Sequence, residues 1–258
     1  MRYPGREIAA ALGDAVPSDH ARQTLAESYV ERTAGRVAGQ PWRVLDLGCG
    51  PGDSVDLFRA RDPEVRWIGL DIEGSREVLS RTRTDARFEQ FDGVAIPFAD
   101  DSFDLVYCKQ VLEHVHRPAA LIAEVARVLA PHGSFAGSTS QMEPFHSQST
   151  FNYTPSGLKS LLASAGLQLV ELRPGIDAVT LIARRLAPHG NARADRIWGR
   201  WWGNRSPLNR GLDLYGAARR LDARALNATK LLFCGQFAFE ARAAAPHPGL
   251  AAPTPAPD

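Results

Sequence analysis

The sequence predicts an α/β protein built on a doubly wound, mostly parallel sheet of seven strands, with a helical insertion before the last strand. Three observations lead to this prediction. Short apolar runs alternate with amphipathic stretches along much of the chain, a pattern typical of a parallel sheet covered by helices on both faces. A glycine-rich loop, Gly48 to Gly52, directly follows the first predicted strand. An acidic residue, Asp71, stands at the end of the second.

Seven runs have the composition and length of strands. Their predicted bounds are 42–47, 65–72, 86–91, 103–108, 133–139, 168–173 and 231–243. Helical spacing predicts a leading helix capped by Ser18, and another helix over about 155–165. The clearest helix begins at Pro118 and carries on one face Leu121, Ile122, Val125, Val128 and Leu129. Pro131 and Gly133 are expected to close it.

The chain is predicted to have one main domain with an elaboration. Residues 1–173 form the core, 174–230 an insertion, 231–243 the final strand of the core, and 244–258 a tail. The insertion holds three of the five tryptophans, and its ten arginines and one lysine against four aspartates give a net charge of +7. The tail contains five prolines and little that could be buried, which predicts disorder.

Composition excludes several classes of protein. Thirty basic residues against 29 acidic ones leave a net charge of +1, so no nucleic-acid partner is expected. The cysteines, Cys49, Cys108 and Cys234, are far apart and form no CxxC pair, which favours reduced thiols in a cytoplasmic protein. The first apolar run is too short for a signal peptide, and no stretch approaches a spanning helix.

The spacing of the glycines separates two classes of adenosine-containing cofactor. A dinucleotide fingerprint needs a third glycine three residues after the second, and that position is Asp53. Because an aspartate there would repel a pyrophosphate, a nicotinamide cofactor is disfavoured. Gly48, Gly50 and Gly52 instead stand at alternate positions after Asp46. An acidic, glycine-lined pocket suits a cofactor that carries adenosine and no phosphate.

This first motif, "LDLGCGPG", resembles that of class I S-adenosylmethionine-dependent methyltransferases. The resemblance continues in order through "IGLDIEGS", "FDGVAIPFADDSFDLVYCKQVLEHV" and "RPAALIAEVARVLAPHGSF", and so covers roughly residues 41–140. It is strongest to the branch that includes quinone-biosynthesis and natural-product enzymes. It implies a Rossmann-like methyltransferase sheet, S-adenosyl-L-methionine as cofactor, and transfer of its methyl group.

The resemblance also implies roles for individual residues. The three glycines would admit the methionyl part and the ribose, with Asp46 near the amino group. Asp71 would accept hydrogen bonds from both ribose hydroxyls, and Asp92 would accept one from the adenine amino group. The complete predicted cofactor-binding set is Asp46, Gly48, Gly50, Gly52, Asp71, Ile72, Asp92, Gly93, Val94 and Gln110. Asp104 is expected to be structural, positioning the start of the fourth strand.

The acceptor is expected beyond the carboxyl ends of the fourth and fifth strands, where doubly wound sheets bind ligands. Three histidines lie there: His114 and His116 after the fourth strand, and His146 after the fifth. A hydroxyl acceptor gains from a general base, and His146 is the first candidate, with His114 the second. His116 is interpreted as a solvated loop residue. No metal ligands are predicted.

The predicted function is O-methylation of a hydroxyl on a small molecule or a sugar. The sugar is included because residues 145–175 more weakly resemble methyltransferases of glycan biosynthesis. N- or C-methylation of a quinone-like, lipid or natural-product acceptor stays open, as does a cofactor-binding protein without catalysis. For the insertion three interpretations stay open: a structural cover, a lid over the acceptor, or peripheral membrane contact. The last two depend on its arginines and on Trp198, Trp201 and Trp202.

Overall fold

The computed structural model describes residues 2–33, 40–186 and 206–243. Its strands are β1 (Arg43–Leu47), β2 (Arg66–Ile72), β3 (Arg87–Phe91), β4 (Phe103–Lys109), β5 (Leu129–Ser140), β6 (Leu167–Pro174) and β7 (Gln236–Ala243). The helices of the described residues are α1 (Arg6–Leu12), α2 (Glu27–Thr33), α3 (Val55–Arg59), α4 (Arg76–Leu79), α5 (Pro118–Val128), α6 (Pro155–Ser164), α7 (Ala178–Leu186), α8 (Pro207–Arg219) and α9 (Ala223–Phe233). Short 3-10 turns span Gly13–Ala15 and Leu112–His114.

All seven strands form one sheet in the order β3-β2-β1-β4-β5-β7-β6. The first five are parallel to one another, and β7 runs antiparallel between β5 and β6. The predicted fold class is therefore confirmed. The strand order reverses between β1 and β4, and such a switch point is where open α/β sheets bind ligands, outside the carboxyl ends of the strands. The glycine loop follows β1, and Gln110 follows β4.

Helices cover both faces of the sheet, because successive strand residues point to opposite sides. Leu45 and Val106 belong to the apolar cluster on one face, and Val44 and Leu105 to the cluster on the other. The first cluster includes side chains of α1, α5, α6 and α9, while α2 and α3 contribute to the second. Asp104 has the predicted structural role: its carboxylate accepts from the backbone N–H of Arg43 at 2.9 Å and from its guanidinium at 2.6 Å.

The leading helix is shorter than predicted. It begins at Glu27 rather than after Ser18, and α1 precedes it in a stretch for which no helix is predicted. Tertiary hydrogen bonds explain the difference, because they hold the chain before α2 in an irregular path. The Thr24 N–H donates to the Pro174 carbonyl at 2.9 Å, and the Asn227 amide donates to the His20 carbonyl at 2.7 Å.

Two strand boundaries also differ from the prediction. Helix α5 ends at Val128, and β5 already includes Leu129, which pairs with Phe103 of β4. Pro131 and Gly133 therefore lie within the strand rather than closing the helix. At the other end of the sheet, residues 231–233 complete α9, and β7 begins only at Gln236. Leu231 is fully buried in the core cluster, so packing determines this assignment.

The described parts of the insertion are helical and comprise α7, α8 and most of α9. Its tryptophans and the proline-rich tail, 244–258, lie outside the described residues. The division into core, insertion and tail remains a prediction. Among the described residues, no helix combines the length and the apolar character needed to cross a bilayer.

Gly137 is expected to be essential for the pairing of β4 with β5. A Cβ at this position would lie 1.7 Å from the backbone oxygen of Cys108, its partner in the register. We expect Gly137→Ala to lower the free energy of unfolding by at least about 1–3 kcal/mol, since neither backbone can move aside without breaking the ladder. Urea unfolding of the pure protein measures this.

Gly211→Ala is the matched control for that variant. Gly211 lies in α8, and a Cβ there would have no atom within 4 Å. Alanine should therefore stabilise the helix by about 0.4–1 kcal/mol. Equal unfolding midpoints for the two variants would contradict the role given to Gly137.

Candidate cofactor and acceptor site

The glycine loop is fixed by close contacts that exclude side chains. Gly48 has φ +71° and Gly52 φ +86°, conformations that favour glycine. A Cβ on Gly48 would lie 2.2 Å from Val111, and one on Gly52 would lie 2.6 Å from Phe88. The Gly48 N–H also donates to the Leu70 carbonyl at 2.7 Å. The loop is thus bound to β2 and to the segment after β4, and leaves a backbone cradle at the switch point.

Asp71 links the second strand to this loop. Its carboxylate accepts from the Gly50 N–H at 2.7 Å and from the Ile72 N–H at 2.8 Å, and the side chain is only 9% exposed. An ionised carboxylate can accept about four hydrogen bonds, so further acceptor positions remain for hydroxyl donors. The side chain of Ile72 is 44% exposed, and a Cβ on Gly93 would lie 3.5 Å from it. Asp71, Ile72 and Gly93 therefore lie next to one another.

Asp92 stabilises the turn that follows β3. Its Oδ1 accepts from the backbone N–H of Val94 at 2.8 Å and of Ala95 at 2.7 Å. These two hydrogen bonds are the main cause of the lowered pKa of Asp92. Its carboxylate is therefore ionised at neutral pH and can accept from an amino group through Oδ2. Val94 contributes its backbone to this turn.

Asp46 has an unusual electrostatic environment at the end of β1. It is 3% exposed, and burial, the largest cause, raises the pKa of its carboxyl to about 7. The hydroxyl of Ser54, which donates to Asp46, acts in the opposite direction, and the nearby Asp71 raises the pKa further. A cationic group beside Asp46 would favour its ionised form.

Gln110 joins the cofactor side of the site to a cavity. The backbone of Gln110 has φ +56°. Its N–H donates to the Ser138 carbonyl at 2.8 Å, and its side-chain amide lies 3.0 Å from the Ser138 hydroxyl. The cavity, about 340 Å³ in volume, lies between the ends of β4 and β5 and helix α7. Its lining includes Lys109, Gln110, Glu143, His146, Leu181, Arg184 and Arg185. It occupies the position expected for the acceptor.

The structure brings the two predicted catalytic histidines together. The ring centroids of His114 and His146 are 5.2 Å apart, and the two ring planes are nearly perpendicular. His146 Nδ1 lies 3.2 Å from the Pro144 carbonyl and 3.5 Å from Glu143 Oε1, and the residue lines the cavity. Burial, and then the neighbouring His146, lowers the pKa of His114, whose Nδ1 is buried and has no hydrogen-bond partner among the described residues. His116 is not a member of this cluster, which consists of His114, His146 and the neighbouring Glu113.

A metal could bind this cluster only after rearrangement. Glu113, His114 and His146 each place one ligand atom within 4.8 Å of the others. Both carboxyl oxygens of Glu113, however, already have hydrogen-bond partners: Oε2 accepts from the Thr139 hydroxyl at 2.8 Å, and Oε1 lies 3.1 Å from the Ser140 hydroxyl. A metal ion would have to replace at least one of these partners.

Sequence reasoning missed several residues of the site. Arg81 donates to the Gly50 carbonyl through Nε at 2.9 Å and Nη2 at 2.6 Å, and its guanidinium lies 3.9 Å from the centre of the Phe88 ring. Glu113 and Glu143 are buried carboxylates beside the histidines. Arg81 follows α4 in an irregular segment with no motif to single it out. For Glu113, the sequence signal was its place directly before His114 in "LEH".

The arrangement fits a cofactor of the predicted kind. A Cβ on Gly48 or on Gly52 would clash with Val111 or with Phe88, so the loop passes these positions as bare backbone. Three carboxylates, those of Asp46, Asp71 and Asp92, stand at or next to the ends of β1, β2 and β3. Such a set binds hydroxyl and amino donors and opposes phosphate. The assignment of each residue to a part of the cofactor remains a prediction.

Comparisons with known proteins place a methyltransferase domain in the part of the chain that contains the glycine loop. Residues 45–137 match the family model described as "Methyltransferase domain". The chain is 41% identical over 97 residues to a trans-aconitate 2-methyltransferase of Methylobacterium nodulans, covering 37% of each protein. It is 33% identical over 178 residues to a probable S-adenosylmethionine-dependent methyltransferase of Mycolicibacterium smegmatis, covering 64% of this chain and 66% of that protein. The chain thus spans about a third to two thirds of the length of these relatives.

A solved structure has a similar fold. A solved geranyl diphosphate methyltransferase in complex with S-adenosylmethionine superposes with a TM-score of 0.52 at 14% identity, covering 84% of each chain. This likeness concerns the fold, which here positions the glycine loop and Asp71 at the switch point. S-adenosylmethionine is the cofactor of proteins with this domain and sheet. The matched domain, the strand order and the relatives together identify residues 45–137 as a methyltransferase domain and support a class I S-adenosylmethionine-dependent methyltransferase.

Proposed function

We propose that this protein transfers the methyl group of S-adenosylmethionine to a hydroxyl of a small molecule or sugar bound in the cavity beside Gln110. One observation carries the proposal: His146 lines that cavity while its Nδ1 faces the Pro144 carbonyl at 3.2 Å. An Nδ1–H that donates to this carbonyl leaves the lone pair on Nε2, the tautomer that a general base requires. Glu143 lies on the same Nδ1 side.

Each group has a defined task in this reaction. S-adenosylmethionine, when bound, would supply a methyl carbon activated by the sulfonium, and its sulfur would keep the electron pair of the carbon–sulfur bond that breaks. Asp71 and Asp92 hold the adenosine part through hydrogen bonds. His146 Nε2 takes the proton that the acceptor hydroxyl loses as its oxygen forms the new bond to carbon. The negative charge of Glu143, 3.5 Å from Nδ1, stabilises the imidazolium that results.

Typical energies indicate how much positioning and base catalysis each lower the barrier to methyl transfer. Correct positioning of the two reactants can contribute up to about 7–11 kcal/mol to lowering the barrier. A general base adds about a hundred- to ten-thousandfold in rate. Positioning is therefore the larger contribution, and the base is the one that a single substitution can remove without disturbing the cofactor cradle.

Three cations, Lys109, Arg184 and Arg185, face two carboxylates, Glu27 and Glu143, around the cavity, and this excess of one positive charge is compatible with an acceptor that bears an acidic group. Arg184 and Arg185 of α7 lie on the cavity wall. Arg185 donates to Glu143 at 2.9 Å, and Lys109 pairs with Glu27 at the edge. The trans-aconitate methyltransferase among the relatives is named for an anionic acid, which supports an acceptor of this kind here. A sugar hydroxyl next to a carboxylate would satisfy both features.

Helix α7 supports the lid interpretation of the insertion. Leu181, Arg184 and Arg185 belong to the insertion and line the cavity, as a lid over the acceptor would. The competing interpretation, peripheral contact with a membrane, is tested by co-sedimentation with vesicles of anionic lipid. Retention of the protein in the supernatant at low salt would favour the lid, and salt-sensitive co-sedimentation would favour the membrane.

The proposal is tested by incubating the full chain with methyl-labelled S-adenosylmethionine and a panel of acceptors, followed by mass spectrometry of the products. The panel contains hydroxy acids, uronic acids, phenols, quinols and amines. Label on the oxygen of a hydroxyl supports the proposal. Label on carbon or nitrogen would favour the C- or N-methylation that the sequence leaves open. Binding of the cofactor without any labelled product across the panel would favour a non-catalytic binder.

Cofactor affinity is expected to increase with pH around neutrality. The pKa of Asp46 is raised to about 7, so the carboxyl becomes ionised as the pH rises through this value. The ionised form attracts the amino group of the cofactor, which is still largely cationic below about pH 7.5. We expect the Kd measured by calorimetry to fall between about pH 6 and 7.5. Asp46→Asn should remove this dependence, and an unchanged pH profile in that variant would contradict the role of Asp46.

A further inference from the structure

The buried carboxylates of Glu113 and Glu143 share one hydroxyl group. Ser140 Oγ lies 3.1 Å from Glu113 Oε1 and 2.6 Å from Glu143 Oε2. Glu113 is 0% exposed and Glu143 7%. A serine hydroxyl has a single proton to donate, so it can donate to only one of the two carboxylates. The second contact is a hydrogen bond only if the other carboxyl carries a proton and donates it to Ser140 Oγ.

The neighbours of each carboxyl decide which of them holds that proton. Glu143 contacts a cation, since Arg185 Nη2 donates to its Oε1 at 2.9 Å, and the Gln236 amide donates to its Oε2 at 2.7 Å. Its third neighbour, His146, becomes cationic whenever it gains a proton. These partners favour the ionised form of Glu143.

Glu113 has only neutral donors. Oε2 accepts from the Thr139 hydroxyl at 2.8 Å. Four other titratable groups lie around Glu113. A ring nitrogen of His114 and of His146 lies within 4.8 Å of its carboxylate, and burial lowers the pKa of His114, which favours the neutral ring. Cys108 and Tyr153 are kept neutral because burial raises the pKa of each. Burial is also the main cause that raises the pKa of Glu113.

We propose that Glu113 is a positioning residue that carries a proton at neutral pH and, through Ser140, orients the ionised carboxylate of Glu143 toward His146. The Glu113 hydroxyl donates to Ser140 Oγ, and the Ser140 hydroxyl donates to Glu143 Oε2. This leaves Glu143 Oε1 to face Arg185 and His146 Nδ1. The pair then holds one negative charge rather than two, and that charge lies on the side of the histidine.

Substitution by glutamine separates the two carboxyls. A glutamine at 113 keeps a donor for Ser140 and an acceptor for Thr139, and so reproduces a protonated glutamate. The same change at 143 removes the negative charge beside His146. We expect Glu113→Gln to change the pH midpoint of His146 by less than about 0.3 unit and Glu143→Gln to lower it by about 1 unit or more. Histidine side-chain NMR of the full chain, assigned with His146→Ala, measures both midpoints without any acceptor.

Infrared difference spectra give a second readout. Asp46→Asn removes the other carboxyl with a raised pKa. In that background the protein at neutral pH should show the carbonyl stretch of a protonated carboxylic acid, and the additional change Glu113→Gln should remove it. The proposal is overturned if the band is missing in Asp46→Asn, or if Glu113→Gln lowers the His146 midpoint as much as Glu143→Gln does. The latter result would make Glu113 the ionised member of the pair.

The effect on turnover rests on the proposed function, in which His146 is the base. Once an acceptor is known, Glu113→Ala should lower kcat about 10- to 100-fold with little change in cofactor affinity, because Glu143 loses its orientation. Glu113→Gln should restore most of that loss. Urea unfolding identifies variants that are merely unfolded. If His146→Ala retains full turnover while the NMR and infrared results hold, the assigned protonation state stands and the proposed base is wrong.

Discussion

His146→Ala is expected to lower kcat by about 100- to 10,000-fold, the contribution of a general base, while the Kd for S-adenosylmethionine stays within a few-fold of wild type. The physical reason is the separation of the two halves of the site. His146 contacts the Pro144 carbonyl, Glu143 and the ring of His114, and it does not contact the glycine loop. The loss should therefore appear in turnover and not in cofactor binding.

The pH dependence of the reaction gives an independent check on this prediction. Histidine is the side chain that ordinarily changes charge between about pH 5 and 8, and a general base acts in its neutral form. The kcat/KM of the wild-type protein should therefore rise with pH across that range, and the residual activity of His146→Ala should not. His132→Ala is the matched control, since His132 is exposed at the amino-terminal end of β5. Turnover of His146→Ala within a few-fold of wild type would transfer the role to His114 or exclude base catalysis.

Asp71→Ala is expected to weaken S-adenosylmethionine binding at least tenfold. Hydrogen bonds to a charged group contribute about 1.5–3 kcal/mol each, and each 1.4 kcal/mol corresponds to about tenfold in Kd. The variant removes the acceptor of two ribose hydroxyls. It also removes the hydrogen bond from the Gly50 N–H at 2.7 Å that ties the loop to β2. Calorimetry measures the change in affinity.

Two controls separate these contributions. Asp71→Asn keeps an oxygen acceptor of the same size and loses the charge, so its affinity should lie between wild type and Asp71→Ala. Glu64→Ala removes an exposed carboxylate before β2, at the opposite end of that strand, and should leave the affinity unchanged. An Asp71→Ala protein that unfolds normally and binds the cofactor as tightly as wild type would refute the ribose assignment.

Local patterns were sufficient for the sheet and for the cradle. The strands from β1 to β4 begin and end within a residue of their predicted bounds. For β1, β2 and β4 the reason is that a parallel strand inside the sheet is a short, nearly continuous apolar run, whereas the edge strand β3 mixes aromatic with polar residues. The three glycines were identifiable because a positive φ and a close backbone approach leave few other residues possible. Asp71 was identifiable because its distance from the glycine loop is set by one helix and one strand.

Local sequence patterns did not predict secondary structure correctly where contacts with distant segments outweigh local preference. Ser18 precedes a helix-like stretch, yet the chain there donates and accepts hydrogen bonds with β6 and α9 and stays irregular. Residues 231–233 have the composition of a strand, yet they complete a helix whose Leu231 is buried in the core. In both cases tertiary contacts outweigh a local preference worth less than about 1 kcal/mol per residue.

By itself, the sequence determined the doubly wound fold, because the fold follows from periodicity and from spacing within single βαβ units, and the resemblance of its ordered motifs gave the class of cofactor. The residues that bind this cofactor remain a prediction. Only the tertiary structure decided the surroundings of His146. Glu113 and Glu143 lie 30 positions apart, and Arg185 lies 42 positions beyond Glu143. No spacing rule links these three residues. Because the two glutamates are buried away from water, the ionisation of each carboxyl depends on the few hydrogen-bond donors and charges in contact with it.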